Sequence, residues 1–244
     1  MQMLLLDAGN SRIKWALVQY GARMQHGSAP LGDISALGLE FAGLASAGLA
    51  PRRIVASNVA GEAVAEQIRS ACAAWQCRVE FIAARAEQCG VRNGYERPEQ
   101  LGSDRWAALI AAWHQAKTAC VVVNCGTATT LDALSAAGEF PGGLILPGLD
   151  MMRRSLAAGT AQLEAATGNW RDFPRNTGDA IYSGTIKATV GAIREQHALL
   201  GAPGAPCVLS GGAASLIQPH LGLPVLRVDD LVLQGLQLIG QKTE

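Results

Sequence analysis

Several familiar signatures are missing from the 244 residues, and each gap removes a class of function. There is no CxxC pair and no HExxH, and the four histidines (His26, His114, His197, His220) lie far apart, which argues against a structural zinc site. The chain has no GxxxxGK(S/T), so no Walker loop, and no GxGxxG to support a dinucleotide fold. No apolar run approaches the roughly 20 residues that span a bilayer, and no basic, apolar leader opens the sequence. The expectation is a cytoplasmic protein with no membrane partner. Neither sign of charge predominates: Lys plus Arg and Asp plus Glu number 20 each, so no net field recommends nucleic acid as a partner. The basic pairs Arg52-Arg53 and Arg153-Arg154 are expected on solvated faces.

What is present comes in two echoing halves. The length suits one large or two modest domains. Six cysteines (72, 77, 89, 120, 125, 207) are scattered through a chain large enough not to need stapling, so reduced, buried thiols are expected. Strands are predicted near 2–7, 12–19 and 23–29, a helix near 34–48, a strand at 53–58, a helix at 62–76 and a strand at 78–83. After the polar stretch "CGVRNGYERPEQLGSD", Trp106, Leu109, Ile110 and Trp113 recur at i, i+3, i+4, i+7, a helix with one buried face. The second half repeats the order: strands at 119–125, 127–135 and 143–146, helices near 149–157 and 179–200, strands at 206–210 and 224–228, and a final helix. In the long helix His197 continues the stripe Ile186, Val190, Ile193, as a satisfied histidine at the edge of the core would.

The echo is sharpest at two turns. "LLDAGNSRIKWALVQ" and "VVVNCGTATTLDAL" share the order strand, polar residue, any residue, glycine, hydroxyl or amide residues, strand. Asp7 and Asn124 are the polar anchors, 117 positions apart. Glycine turns let backbone N–H groups approach an anion with no side chain in the way, so two such turns, one from each half, could hold a polyphosphate. Lys14 could then neutralise phosphate oxygens, and Asp7 could hold Mg²⁺ directly or through water. An ordinary hairpin accounts for "DAGNS" alone equally well; "NCGTATT" and "SGGAA" tip the balance toward a nucleotide site.

Two helix starts carry further candidates. In "LGSDRWAAL" Gly102 or Ser103 would cap the helix and put Asp104 in its first turn, where the macrodipole favours a negative charge and a low pKa is expected. An acid there is an ordinary helix-start device, but Arg105 follows it and Arg92, Tyr95 and Arg97 precede it, a set suited to an anionic or polyhydroxy ligand. In "RNTGDAIYSGT" Thr177 or Asp179 would cap the next helix, and the Thr177 hydroxyl could also bind substrate.

Taken in order, "DAGNSRIKW", "GSDRW", "NCGTATT", "NTGDAI" and "LSGGAA" resemble the motifs of the type III pantothenate kinases, nearly end to end. The resemblance implies an α/β fold of the actin-like (ribonuclease H-like) ATPase class, with two similar domains, 1–117 and 118–244, each on a mixed central sheet. It implies a kinase that phosphorylates the 4′-hydroxyl of pantothenate with ATP and Mg²⁺, in coenzyme A biosynthesis. Carried over by position, Asp7, Ala8, Gly9, Asn10, Ser11, Arg12, Ile13, Lys14 and Thr127 would bind ATP. Tyr95, Gly102, Ser103, Asp104, Arg105 and Thr177 would line the pantothenate pocket, with Asp104 as proton acceptor. The family is homodimeric, with the substrate pocket near the subunit interface, so Thr177 would serve the neighbouring chain's site.

One position departs from the family pattern. An aspartate that binds a monovalent cation normally opens the second phosphate motif, and here Asn124 stands in its place. The amide oxygen can still coordinate, but a full charge is gone from the ligand set, and binding of K⁺ or NH₄⁺ is expected to weaken. Two other functions use the same motifs: a kinase for another small hydroxylated acceptor, and a nucleotide-binding regulator without catalysis. Asn124 alone speaks for the regulator; Asp7, Lys14, Asp104 and Arg105 speak against it.

Overall fold

Asp7 owes its surroundings to the period-2 alternation of the first strand, seen in a computed structural model that describes residues 2–19, 22–75, 77–159 and 168–242. Strand β1 (Gln2–Ala8) pairs antiparallel with β2 (Arg12–Gln19), and β2 with the exposed edge strand β3 (Ala22–Pro30). On its other side β1 runs parallel to β4 (Arg53–Asn58), and β4 to the short β5 (Val79–Phe81). The sheet order is β3-β2-β1-β4-β5. Leu4, Leu6 and Ala8 turn to one face and pack with helix α1 (Ile34–Ser46) and helix α2 (Glu62–Ala71), around Trp15, Phe41 and Trp75. Each such aliphatic side chain removed from water contributes about 1.5–3 kcal/mol. Helix α2 ends at Ala71, short of its expected end at 76, yet Trp75 is buried in the turn beyond it.

Met3, Leu5 and Asp7 belong to the opposite face of β1. A hairpin, β6 (Glu87–Gln88) and β7 (Val91–Asn93), and then helix α3 (Ser103–Ala116) complete this stretch of chain. Residues 1–115 group with 230–244 as one compact unit, and residues 116–229 form the other. The last helix, α7 (Leu231–Gln241), therefore packs in the first unit, with Gly240 against Met3 and Val55 and Gly235 against the backbone of Ala107. A Cβ at Gly235 would lie 1.9 Å from the carbonyl oxygen of Ala107, and neither backbone can yield. Gly235→Ala is expected to cost about 3 kcal/mol, read as a lowered melting temperature.

The second unit has the same sheet. Strands β8 (Cys120–Cys125), β9 (Ala128–Leu134) and β11 (Gly142–Pro147) form the antiparallel part, with the two-residue β10 (Glu139–Phe140) between β9 and β11 in sequence. Strands β12 (Cys207–Ser210) and β13 (Val225–Arg227) continue in parallel, giving β11-β9-β8-β12-β13. Val121, Val123 and Cys125 of β8 pack with helix α5 (Thr177–Leu199) and helix α6 (Ala214–Leu221), while helix α4 (Leu149–Gly159) enters this core through Leu149. The buried stripe of α5 runs Ile186, Val190, Ile193, His197, and His197 Nε2 lies 2.8 Å from the Ala205 carbonyl.

All six cysteines are free, and burial pushes the Cys72, Cys120, Cys125 and Cys207 thiols up to about 12. The arginine pairs are not simply solvated. Arg53 grips Glu80 with two nitrogens and donates to the Gly240 carbonyl at 2.6 Å, and Arg153 lies over the Tyr182 ring at 4.9 Å. Among the described residues no helix is long and apolar enough to cross a membrane.

Candidate active site

The first turn is fixed by its flanks. Ala8 and Ile13 are buried, and Gly9 N–H donates to the Arg12 carbonyl at 3.1 Å, closing a hairpin whose tip, Asn10 to Arg12, is exposed. Arg12 is steadied by the Ser28 hydroxyl at 2.8 Å. Strand register sets Asp7 directly between Lys14 on β2 and Ser57 on β4. Cross-strand partners share a face, so the lysine and the aspartate emerge together.

Ser57 leads to the second group of candidates. Its hydroxyl is buried and lies 2.9 Å from that of Ser103, at the start of α3. Asp104, next in sequence, is half-buried and accepts the Arg105 N–H at 2.7 Å. Gly102 has a steric role here: a Cβ would stand 2.6 Å from Asp104 Oδ1 and drive that carboxylate out of place. Arg105 is buried; it donates to the Tyr95 hydroxyl at 2.9 Å and faces the Tyr95 ring. Arg97 of the expected cluster does not join them, for it is exposed and pairs with Glu99.

The charge balance corrects one expectation. Asp104 does not have the low pKa that a helix start should give. Burial raises it and outweighs the lowering by the Arg105 N–H and the Arg105 charge. Asp7 is raised further, to about 7, by burial, then by Asp104 and to a lesser degree Asp230, against the pull of Lys14. Asp7, Lys14, Asp104 and Asp230 are thus electrostatic neighbours. Asp230 was not among the sequence candidates. It takes Lys14 Nζ at 3.2 Å on one oxygen and Arg23 at 2.8 Å on the other. Burial would raise Asp230, but these two hydrogen bonds prevail and hold it below the ordinary carboxylate value. The only signal in the sequence was an acid ahead of the last helix, which reads as a cap.

Asn124, Thr127 and Thr177 lie in the second unit. Asn124 repeats the position of Asp7: it is the penultimate residue of the central strand β8, as Asp7 is of β1, and is flanked in register by Thr130 and by the buried Ser210, where Asp7 has Lys14 and Ser57. Gly126 N–H donates to the Ala128 carbonyl at 3.0 Å, and Gly148 N–H to that of Thr127 at 3.0 Å. The "SGGAA" turn closes on this loop. Gly211 has φ +96, and a Cβ there would meet the Cys125 carbonyl oxygen at 2.4 Å. The cap of α5 differs from both expected residues. Asn176 is the cap, its side chain accepting the Asp179 N–H at 2.8 Å, while the Asp179 carboxylate accepts the Asn169 N–H. Thr177 is exposed and borders an open groove of about 900 Å³ lined by Met152, Leu156 and Ile181 among others.

Comparison with known proteins gives one consistent result. A family model described as type III pantothenate kinase matches residues 3–198. A type III pantothenate kinase of Aromatoleum aromaticum is 48% identical over 241 residues, covering 98% of each chain. One from Nitrosospira multiformis is 46% identical over 244 residues, covering 99% of this chain and 92% of the relative. In fold, the chain is similar to the ethanolamine utilization protein EutJ of Carboxydothermus hydrogenoformans, with a TM-score of 0.56 at 12% identity, covering 98% of this chain and 90% of that one. The paired five-stranded mixed sheets are those of the actin-like ATPase fold.

Proposed function

We infer that this chain, which belongs to the type III pantothenate kinase family, transfers the γ-phosphate of ATP to the 4′-hydroxyl of pantothenate, giving 4′-phosphopantothenate for coenzyme A synthesis. One observation carries the assignment of residues: Asp7, Lys14 and Asp104 are electrostatic neighbours around the turn that follows β1. Asp104 accepts the hydroxyl proton as that oxygen attacks the γ-phosphorus and the bond to ADP breaks. Its raised pKa suits the task, since a carboxylate freed from the helix-start depression is a better proton acceptor. Lys14, at the base of the Gly9 turn, offsets the charge on the transferring phosphoryl oxygens, and Ala8 to Ile13 hold the remaining phosphates; Thr127 is assigned to ATP by its match to the second phosphate motif. Tyr95, Gly102, Ser103, Arg105 and Thr177 are assigned to pantothenate, and the buried Arg105 with its tyrosine offers a fixed cation to the acceptor's carboxylate end.

The residues fit a Mg²⁺ ion. Among the described residues no cluster of three or more potential ligands exists, but Mg²⁺ is usually held by one or two carboxylates together with substrate phosphates. Asp7, raised first by burial and then by the neighbouring Asp104 against the pull of Lys14, is the residue that would hold it. When bound, the ion would neutralise the β- and γ-phosphates. At the second turn Asn124, Thr130 and Ser210 offer oxygens without formal charge, which supports weakened binding of K⁺ or NH₄⁺.

We assign the enzyme to the cytoplasm, a reading supported by six free cysteines, and to a homodimer, supported by the apolar, open groove beside Thr177. A coupled assay for ADP release, run with pantothenate, with sugars and small hydroxy acids, and with and without K⁺, tests these readings together. Pantothenate-dependent turnover that changes little on K⁺ addition is expected. Turnover with another acceptor alone would replace pantothenate, and ATP binding without turnover would leave only a regulator.

A further inference from the structure

Lys14 has two carboxylates within reach, and at hydrogen-bond distance it takes the more distant one in sequence. Asp7 faces it across the β1–β2 ladder, yet Lys14 Nζ bonds Asp230, 216 residues away, at 3.2 Å. The backbone of Asp230 is unusual too. It starts α7 with φ +52, a conformation that non-glycine residues seldom adopt, and its side chain makes no cap hydrogen bond to its own helix. Both oxygens are committed elsewhere, one to Lys14 and one to Arg23. An N-cap aspartate normally stabilises the first turn of its helix, and this one gives that up.

We propose that Asp230 is a positioning residue that draws the Lys14 ammonium away from Asp7 and aims it at the phosphates of bound ATP. The lysine side chain is 41% exposed on a flexible four-carbon stem, so without a partner it would spread over many rotamers. With Asp230 gone, Asp7, which faces the lysine across the ladder, is left to pair with it, and a Lys14–Asp7 pair would consume both the phosphate-binding cation and the carboxylate assigned to the metal. Arg23 shares the load: by holding the second oxygen it fixes the carboxylate plane, and Lys14 keeps two of its three N–H donors for phosphate.

This role rests on the assignment of Lys14 to ATP, and one set of variants separates the two. Lys14→Met should lower kcat about a hundredfold. Asp230→Asn and Asp230→Gly should each lower kcat about tenfold, with KM for pantothenate little changed. Glycine suits the left-handed backbone, and that relief offsets the lost pairs with Lys14 and Arg23, so Asp230→Gly should melt near the wild-type temperature, and a tenfold loss of turnover without a matching fall in melting temperature separates positioning from folding. In the Lys14→Met background, Asp230→Asn should cost nothing further, because its effect passes through the lysine. Near-normal turnover in either Asp230 variant, or a full additional tenfold loss in the double variant, overturns the proposal and leaves Lys14 in place. Near-normal turnover in Lys14→Met overturns the assignment of the lysine and the proposal with it.

Discussion

Asp104→Asn is expected to lower kcat by about a hundredfold or more while the protein melts no lower than wild type. The substitution is nearly isosteric. An amide oxygen can accept the Arg105 N–H that Asp104 now accepts at 2.7 Å, so the first turn of α3 keeps its hydrogen bond. What disappears is the proton acceptor and its charge. The charge is costly to the fold, because burial raises the Asp104 pKa above its ordinary value of 3.8 despite the neighbouring guanidinium. A carboxyl with a raised folded pKa destabilises the native state once the pH exceeds the unfolded value, so its neutral replacement stands equal or better at pH 7.5. Initial rates with saturating ATP and pantothenate, set beside thermal melts of the same preparations, give the answer. Turnover within a few-fold of wild type would remove Asp104 from the chemistry, and a lowered melting temperature would show that the carboxylate supports the helix after all.

That pKa marks a limit of sequence reasoning. "GSDRW" located the acid in the first turn of a helix, and the macrodipole argument then predicted a depressed value. Dipole effects within a turn amount to roughly 0.3–1 kcal/mol, while burial of a carboxylate can cost more, and burial depends on what the tertiary fold stacks nearby. Local features fared better. The strands of both sheets were legible because alternation and apolar runs are properties of adjacent residues, and the echo between Asp7 and Asn124 corresponds to two sheets with the same strand order. The cap of α5 was misread for a nearby reason: Asn176, Thr177 and Asp179 are all good capping types, and the choice fell to Asn176 once Asp179 was engaged by the Asn169 N–H.

Pairings across the chain were beyond reach. Nothing in the sequence of 231–241 names the sheet on which that helix packs, and so nothing announced that the acid just before it would meet Lys14. The buried Ser57–Ser103 contact, which ties the end of β4 to the start of α3 and so brings Asp104 toward Asp7, was silent in the same way. The candidate residues could be named singly from motifs. Their mutual electrostatics required the fold.

Asp7→Asn is expected to abolish most of the activity and, in the absence of metal and nucleotide, to make the protein more stable at pH 8. Asp7 titrates near 7 in the folded chain against 3.8 for an ordinary aspartate, because of burial first and of Asp104 second. Between those two values the folded state keeps a proton that the unfolded chain has released, so stability falls as the pH rises, and above pH 7 the full penalty applies. Allowing for solvent screening and local relaxation, that penalty is on the order of 2 kcal/mol, or roughly 5 °C in melting temperature for a chain of this size. Asparagine carries no such charge. The difference in melting temperature, variant minus wild type, should therefore be near zero at pH 4, grow through pH 5 and 6, and level off above pH 7. Adding Mg²⁺ with ATP at pH 8 should close the gap by stabilising the wild type alone, and chelation by EDTA should restore it. A constant difference across this pH range would mean that Asp7 is not the strained carboxylate of the site. A variant that responds to Mg²⁺ and ATP as fully as wild type would mean that the metal is held elsewhere.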